Sequence, residues 1–161
     1  MKYLQIDTSG LNPNIHSIIT VRYYDDVTKE SIQINGFTPG KTYDKRTLDY
    51  LGYDVKEFSN KFMAKGDDEL KKFFIEKVKY SKDAFIVYNA PFIEGFLKEY
   101  CGSVKTIDLL SVTRYLNEIH LVKLPSRSLV DVYTKLVRKP PKTKIEMLID
   151  IQQVLKEGLC W

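Results

Sequence analysis

Apolar positions fall into short blocks separated by turn residues in the first third of the chain, and into helical stripes after it. Residues 3–7 form a short apolar run ending in a carboxylate, and Asn12-Pro13-Asn14 supplies turn chemistry before a second run at 17–24. Asp25-Asp26 then turns the chain into residues 31–35, so the first three strands predict an antiparallel meander. From about Lys45 the period shifts toward helix. Asp67-Asp68 is expected to cap a helix in which Leu70, Phe73, Phe74 and Val78 recur at helical spacing. Residues 84–87 are apolar without alternation, which predicts a strand covered on both faces. Pro91 suits the first turn of a helix whose stripe is Phe92, Phe96, Leu97 and Tyr100. Residues 104–107 predict another buried strand, and 109–116 and 128–136 predict helices. Arg138-Lys139-Pro140-Pro141 interrupts helix, after which Ile145, Leu148, Ile149, Ile151, Val154 and Leu155 mark a final one. A meander followed by alternating helices and strands is the signature of a mixed α/β sheet with helices on both faces, here expected as one domain over 1–161.

Composition sharpens this only a little. A chain of 161 residues that is 43% hydrophobic can bury a real core, roughly 70% of its unfolded surface. A net charge of +4 tolerates a phosphate backbone as partner without amounting to a dedicated basic surface. Cys101 and Cys160 have no metal-ligand spacing around them and read as free thiols in a reducing compartment. No run approaches the roughly 20 apolar residues of a membrane helix, and no basic leader precedes the first strand. A cytoplasmic protein with no membrane partner is therefore expected.

Candidate chemistry lies in three segments: Asp7-Thr8-Ser9-Gly10-Leu11-Asn12-Pro13; Tyr88-Asn89-Ala90-Pro91-Phe92-Ile93-Glu94-Gly95-Phe96-Leu97; and residues 142–150 on the last helix. In that order they resemble the motifs of the DnaQ-like (DEDD-type) 3′–5′ exonuclease family, to which the proofreading epsilon subunits belong. The family phrases are Asp-Thr-Glu-Thr-Thr-Gly-Leu-x-Pro, His-Asn-Ala-x-Phe-Asp-x-x-Phe-Leu, and a His about five residues before an Asp. Lys105-Thr106-Ile107-Asp108 and Ser128-Leu129-Val130-Asp131-Val132 resemble the connecting text. The resemblance implies an RNase H-like (exonuclease) fold that hydrolyses single-stranded DNA or RNA from its 3′ end with two divalent cations, magnesium or manganese.

Two-metal cleavage needs several carboxylates converging on cations about 4 Å apart. Here Ser9 stands at the first motif's Glu position when aligned from the left, or that Glu is deleted when aligned from the right. Ile93 stands for the second motif's Asp, Lys142 for the His and Met147 for the last Asp. Only Asp7 keeps its place. A degenerate site without a cofactor is therefore expected. In it Thr8, Gly10 and Leu11 contact a 3′-terminal nucleotide, Asn89 and Phe92 form the opposite wall, and Lys142 either holds a phosphate or pairs with Asp7 in the cation's place. The enzymatic alternative is an atypical exonuclease holding Mg or Mn through Asp7 with Glu94, Glu146 or Asp150. A third is a structural subunit of a polymerase or another assembly. Each residue also has a plain structural reading: Asp7 caps the loop through Gly10, Asn89 caps a helix, Glu94, Glu146 and Asp150 form solvated faces, and His16 and His120 are surface residues.

Overall fold

The computed structural model describes residues 1–159, so Cys160 lies outside the described residues. Five strands, β1 (Lys2–Thr8), β2 (Ile18–Asp25), β3 (Ser31–Asn35), β4 (Phe85–Val87) and β5 (Thr106–Asp108), form one sheet in the order β3-β2-β1-β4-β5. β2 is antiparallel to both β1 and β3, while β4 runs parallel to β1 and to β5. The meander and the mixed α/β sheet are as the apolar pattern predicts. Seven helices accompany them among the described residues: α1 (Lys45–Leu51), α2 (Val55–Lys61), α3 (Asp68–Phe73), α4 (Ala90–Cys101), α5 (Leu109–Glu118), α6 (Leu129–Val137) and α7 (Lys144–Leu159).

Because side chains alternate across a strand, the sheet carries two different faces. Leu4, Ile6, Val21 and Tyr23 pack under α3 and α4 with Phe73, Phe74, Ile93, Phe96 and Leu97. Tyr3 and Ile86 pack on the other face under α5, α6 and α7 with Leu109, Tyr133, Leu148 and Ile151. Burying such side chains is worth about 1.5–3 kcal/mol each before the entropy of ordering them. β4 is buried at all three positions, as a strand covered on both sides must be.

A third cluster, Ile19, Phe37, Leu48, Phe58 and Phe62, fastens α1 and α2 against the turn after β3. Edge-to-face rings hold it, with Phe37 and Phe58 centroids 5.8 Å apart at 87°. This cluster decides where α1 sits, and with it one wall of the cleft described below.

Three expectations need correction. β5 is half-exposed instead of buried, because it is an edge strand with no neighbour beyond it; Ile107 is exposed. The helix after Asp67 runs as α for one stretch and then as a π-wound segment, Phe74–Lys79, which keeps Phe74 and Val78 buried. Asp67 does not cap it through its side chain; its carboxylate accepts from Lys71 at 3.5 Å.

Asp108 ties the sheet to two helices. Its Oδ1 accepts from the Asn89 and Leu110 backbone N–H groups at 2.8 and 3.0 Å, and its Oδ2 from the Ala90 N–H and the Ser111 hydroxyl at 3.0 and 3.1 Å. One carboxylate thus caps α5 and also closes the left-handed turn at Asn89 that opens α4. Losing a cap costs about 1 kcal/mol, and stranded amides add to it. Asp108→Ala is expected to destabilise by about 2 kcal/mol and Asp108→Asn by about half that, read from urea denaturation midpoints at constant m.

Candidate functional site

β1 ends beside an antiparallel neighbour on one side and a parallel one on the other, and open α/β sheets place ligands at the carboxyl ends of strands where the connections diverge. A cleft of about 420 Å³ opens there. Ile6, Asp7, Thr8 and Leu11 come from β1 and its loop, Arg46, Thr47 and Tyr50 from α1, Phe92 from α4, and Lys144 from α7. Leu11 and Tyr50 are 75% and 85% exposed, large apolar surface offered to solvent.

At the cleft's inner end stands Asp7, whose side chain is only 11% exposed. Arg22 Nη1 donates to its Oδ2 at 2.8 Å, Lys144 Nζ to its Oδ1 at 2.5 Å, and Gln5 Nε2 to the same Oδ1 at 3.1 Å. Burial raises the Asp7 pKa, yet Lys144 and Arg22 together outweigh it and hold the carboxyl below its ordinary value. Arg22 reaches Asp7 from β2, where it stands opposite Gln5 and also donates to Gln5 Oε1 at 2.7 Å. Lys144 is the first residue of α7. A cation there opposes the helix dipole by about 0.3–1 kcal/mol, a cost that its contact with Asp7 offsets.

The loop after Asp7 is built on hydroxyls and on one glycine. Thr8 Oγ1 donates to Gly10 O at 2.6 Å. Ser9 is fully buried; its Oγ donates to Thr42 O at 2.7 Å and accepts from Ser17 N–H at 2.9 Å. Ser9, which aligns from the left with the Glu of the family motif, is thus committed to the loop. A Cβ on Gly10 would lie 2.3 Å from the His16 ring, so any other residue there would have to push that ring aside. His16 is not a plain surface residue: its Nδ1 accepts from Asn12 N–H at 3.1 Å, which closes the turn. Lys41 then pins the loop to α4, donating to Pro13 O at 3.1 Å, Asn14 O at 3.0 Å and Glu99 Oε1 at 2.6 Å.

The remaining predicted residues are distributed differently from expectation. Lys142 does not meet Asp7; its ammonium pairs with Asp150 at 3.1 Å, which also accepts from Tyr133 OH at 2.9 Å. The lysine that fills the expected role stands two residues later. Nor does Lys142 line the cleft. Glu94 turns toward β5 and accepts from Thr106 Oγ1 at 2.8 Å, and Glu146 is exposed. Asp7 does not cap its loop, and Asn89 makes no side-chain cap although it sits at that position with φ 69°. Phe92 does line the cleft, supported by Phe96 at 5.1 Å between centroids.

Ile93 and Met147, which align with two aspartates of the family motifs, are 3% and 2% exposed and belong to the core. Among the described residues no group of three or more His, Cys, Asp or Glu side chains could share a cation. The donor set that the family resemblance implies for a metal pair is thus not assembled around Asp7, whose oxygens face an ammonium and a guanidinium instead.

No family model matches the sequence, and no curated protein does. Solved structures do match the fold. A product-bound exonuclease I superposes with a TM-score of 0.77 at 13% identity, over 97% of this chain and 43% of that one. Exonuclease I from Methylocaldum szegediense gives 0.75 at 10% identity over 97% and 40%. The metal-free E. coli exonuclease I–single-stranded DNA complex gives 0.75 at 12% over 97% and 39%. The chain has the RNase H-like fold of exonuclease I and spans about two fifths of the length of these chains.

The Asp7 cluster predicts a pH-dependent effect. Lys144→Met keeps the stem and removes the charge, leaving Arg22 as the one cation paired with Asp7 among the described residues. Lys144 is 39% exposed, and solvent screening lowers the loss below that of a fully buried pair, to about 1–2 kcal/mol near neutral pH. An aspartate held below its unfolded value of about 3.9 stabilises the fold above that pH and loses its contribution as pH falls through the folded value. The difference between wild type and Lys144→Met is therefore expected to be full above about pH 5 and to shrink toward zero in stronger acid, as read from denaturant midpoints across a pH series.

Proposed function

We propose that this chain is a DnaQ-like exonuclease-family domain whose cleft binds the end of a single-stranded nucleic acid without hydrolysing it. The supporting observation is the closure of Asp7 by Lys144 at 2.5 Å and Arg22 at 2.8 Å. Hydrolysis along the family's route would require cations held by several carboxylates, and the chain's own cations stand there instead. The cleft keeps what binding needs. Tyr50, Leu11 and Phe92 offer faces on which a base stacks, worth about 1–3 kcal/mol per base in single-strand binders. Arg46 at the rim has no carboxylate within salt-bridge range among the described residues and is free to meet a phosphate. The solved E. coli exonuclease I complex with single-stranded DNA, which shares the fold, supports single strands as the ligand class.

A 3′-labelled single strand incubated with the protein and Mg²⁺ or Mn²⁺ tests this. Binding by fluorescence anisotropy is expected to weaken with salt as counterions are released, and the strand is expected to stay intact. Tyr50→Ala should weaken binding roughly tenfold by removing one stacking face. Cleavage that disappears in Asp7→Ala would overturn the proposal in favour of an active exonuclease. Absence of both binding and cleavage would leave assembly with a protein partner.

A further inference from the structure

The sheet has two edges, and they are treated differently. β5 is three residues long, and its final carboxylate is occupied in capping two helices. β3 is five residues long, Ser31-Ile32-Gln33-Ile34-Asn35, and carries none of the usual protections: no proline, no charged side chain and no bulge. The direction of its hydrogen bonds follows from its ends. Asp25 N–H donates to Glu30 O at 3.0 Å and Gly36 N–H to Ile19 O at 2.9 Å, so the even-numbered residues face β2. Antiparallel alternation then turns the N–H and C=O of Ser31, Gln33 and Asn35 outward. No group among the described residues bonds to them.

These outward groups are self-complementary. The strand reads polar, Ile, Gln, Ile, polar from either end. An antiparallel copy centred on Gln33 therefore sets Gln33 against Gln33, Ser31 against Asn35 and Ile32 against Ile34. Each of the three outward-facing pairs exchanges two backbone bonds. Beside the strand lies an apolar groove formed by Ile32, Ile34 and Phe73. Its rim on α3 and the π-wound segment carries both signs, with Glu69, Lys72 and Glu76, so a two-fold copy meets mixed charge instead of a single-sign field.

From this geometry we infer that β3 is the dimer seam of the chain, joining two copies about a two-fold axis at Gln33 into one continuous ten-stranded sheet. The seam is independent of what the cleft binds. Its short strand makes the dimer reversible and concentration-dependent, since a seam of this size falls at the small end of specific interfaces.

Light scattering after gel filtration, across protein concentrations, reads the assembly. The expected result is a shift from chain mass to twice chain mass as concentration rises. Gln33→Pro removes an N–H that points off the edge and so leaves the internal ladder intact. It is expected to weaken dimerisation roughly tenfold or more, through two lost bonds at the centre of the seam. Gln33→Cys gives a second readout that does not depend on the tolerance of proline. Directly opposed residues in a bonded pair lie about 5.5 Å apart between Cα atoms, within disulfide range. Mild oxidation of the Gln33→Cys variant should then join two copies of the β3 peptide by a disulfide between the introduced thiols, as read by mass spectrometry. A chain that stays at monomer mass at every concentration, or a dimer of the Gln33→Cys variant in which the introduced thiols do not cross-link, overturns the assignment.

Discussion

A carboxylate as enclosed as Asp7 cannot stand alone. Removing it from water costs several kcal/mol, which only opposite charge and hydrogen bonds in good geometry repay. Arg22, Lys144 and Gln5 meet that requirement from β2, α7 and β1 itself. At an effective dielectric of about 20 each cation at about 4 Å contributes about 4 kcal/mol of gross attraction. A divalent ion would have to displace the ammonium and leave it without its partner. Among the described residues no further group of acidic, His or Cys side chains stands there to share it. The same contacts fix the start of α7 against the sheet, so the charge balance at Asp7 also orients the helix that covers one face of the core.

The positions that align with the family's acids are informative because of the residues that stand there. Ile93 and Met147 are packed in two different core clusters on opposite faces of the sheet. Placing an aspartate at either position would put a carboxylate into apolar packing. Fold and chemistry rest on different residues: alternating apolar positions in the strands and stripes on the helices hold the sheet together, whichever groups line the groove at its end.

Much of this was legible in the chain. β1, β2 and β4 announce themselves as apolar runs, β3 as a short alternation after a turn, and α4 and α7 as stripes with a proline near their starts. Phe92, Leu11, Thr8 and Asp7, all drawn from the segments singled out in the sequence, line the cleft. What escaped depends on contacts between elements distant in sequence. Arg22 is recognisable only once β2 is registered on β1 so that Arg22 faces Gln5, two residues from Asp7. Spacing puts the motif's His position on Lys142 and gives no reason to single out Lys144. Lys144, the first residue of α7, turns to the sheet and meets Asp7, whereas Lys142 lies ahead of the helix, not on it as expected, and pairs with Asp150. Tyr50 and Arg46 sit on a seven-residue helix held by aromatic packing from residues 37, 58 and 62, too short for its own period to declare it. β5 looked buried because Val104 and Ile107 are apolar, but position at the edge of a sheet is not written in a strand's own residues.

Across β1, β2 and β3, Gln5, Arg22 and Gln33 stand opposite one another. The polar row that neutralises Asp7 therefore continues to the sheet's open edge, with Arg22 as the middle member. Its guanidinium is spent on Gln5 and Asp7 at 2.7 and 2.8 Å, which leaves the Gln33 amide free of side-chain partners on the β2 side among the described residues. An amide can both donate and accept, so it can face a copy of itself across a two-fold axis without repulsion, whereas a charged residue there would repel its own image. The electrostatic demand at Asp7 draws the charge inward to β2, and the edge beyond it is left neutral, polar and able to pair.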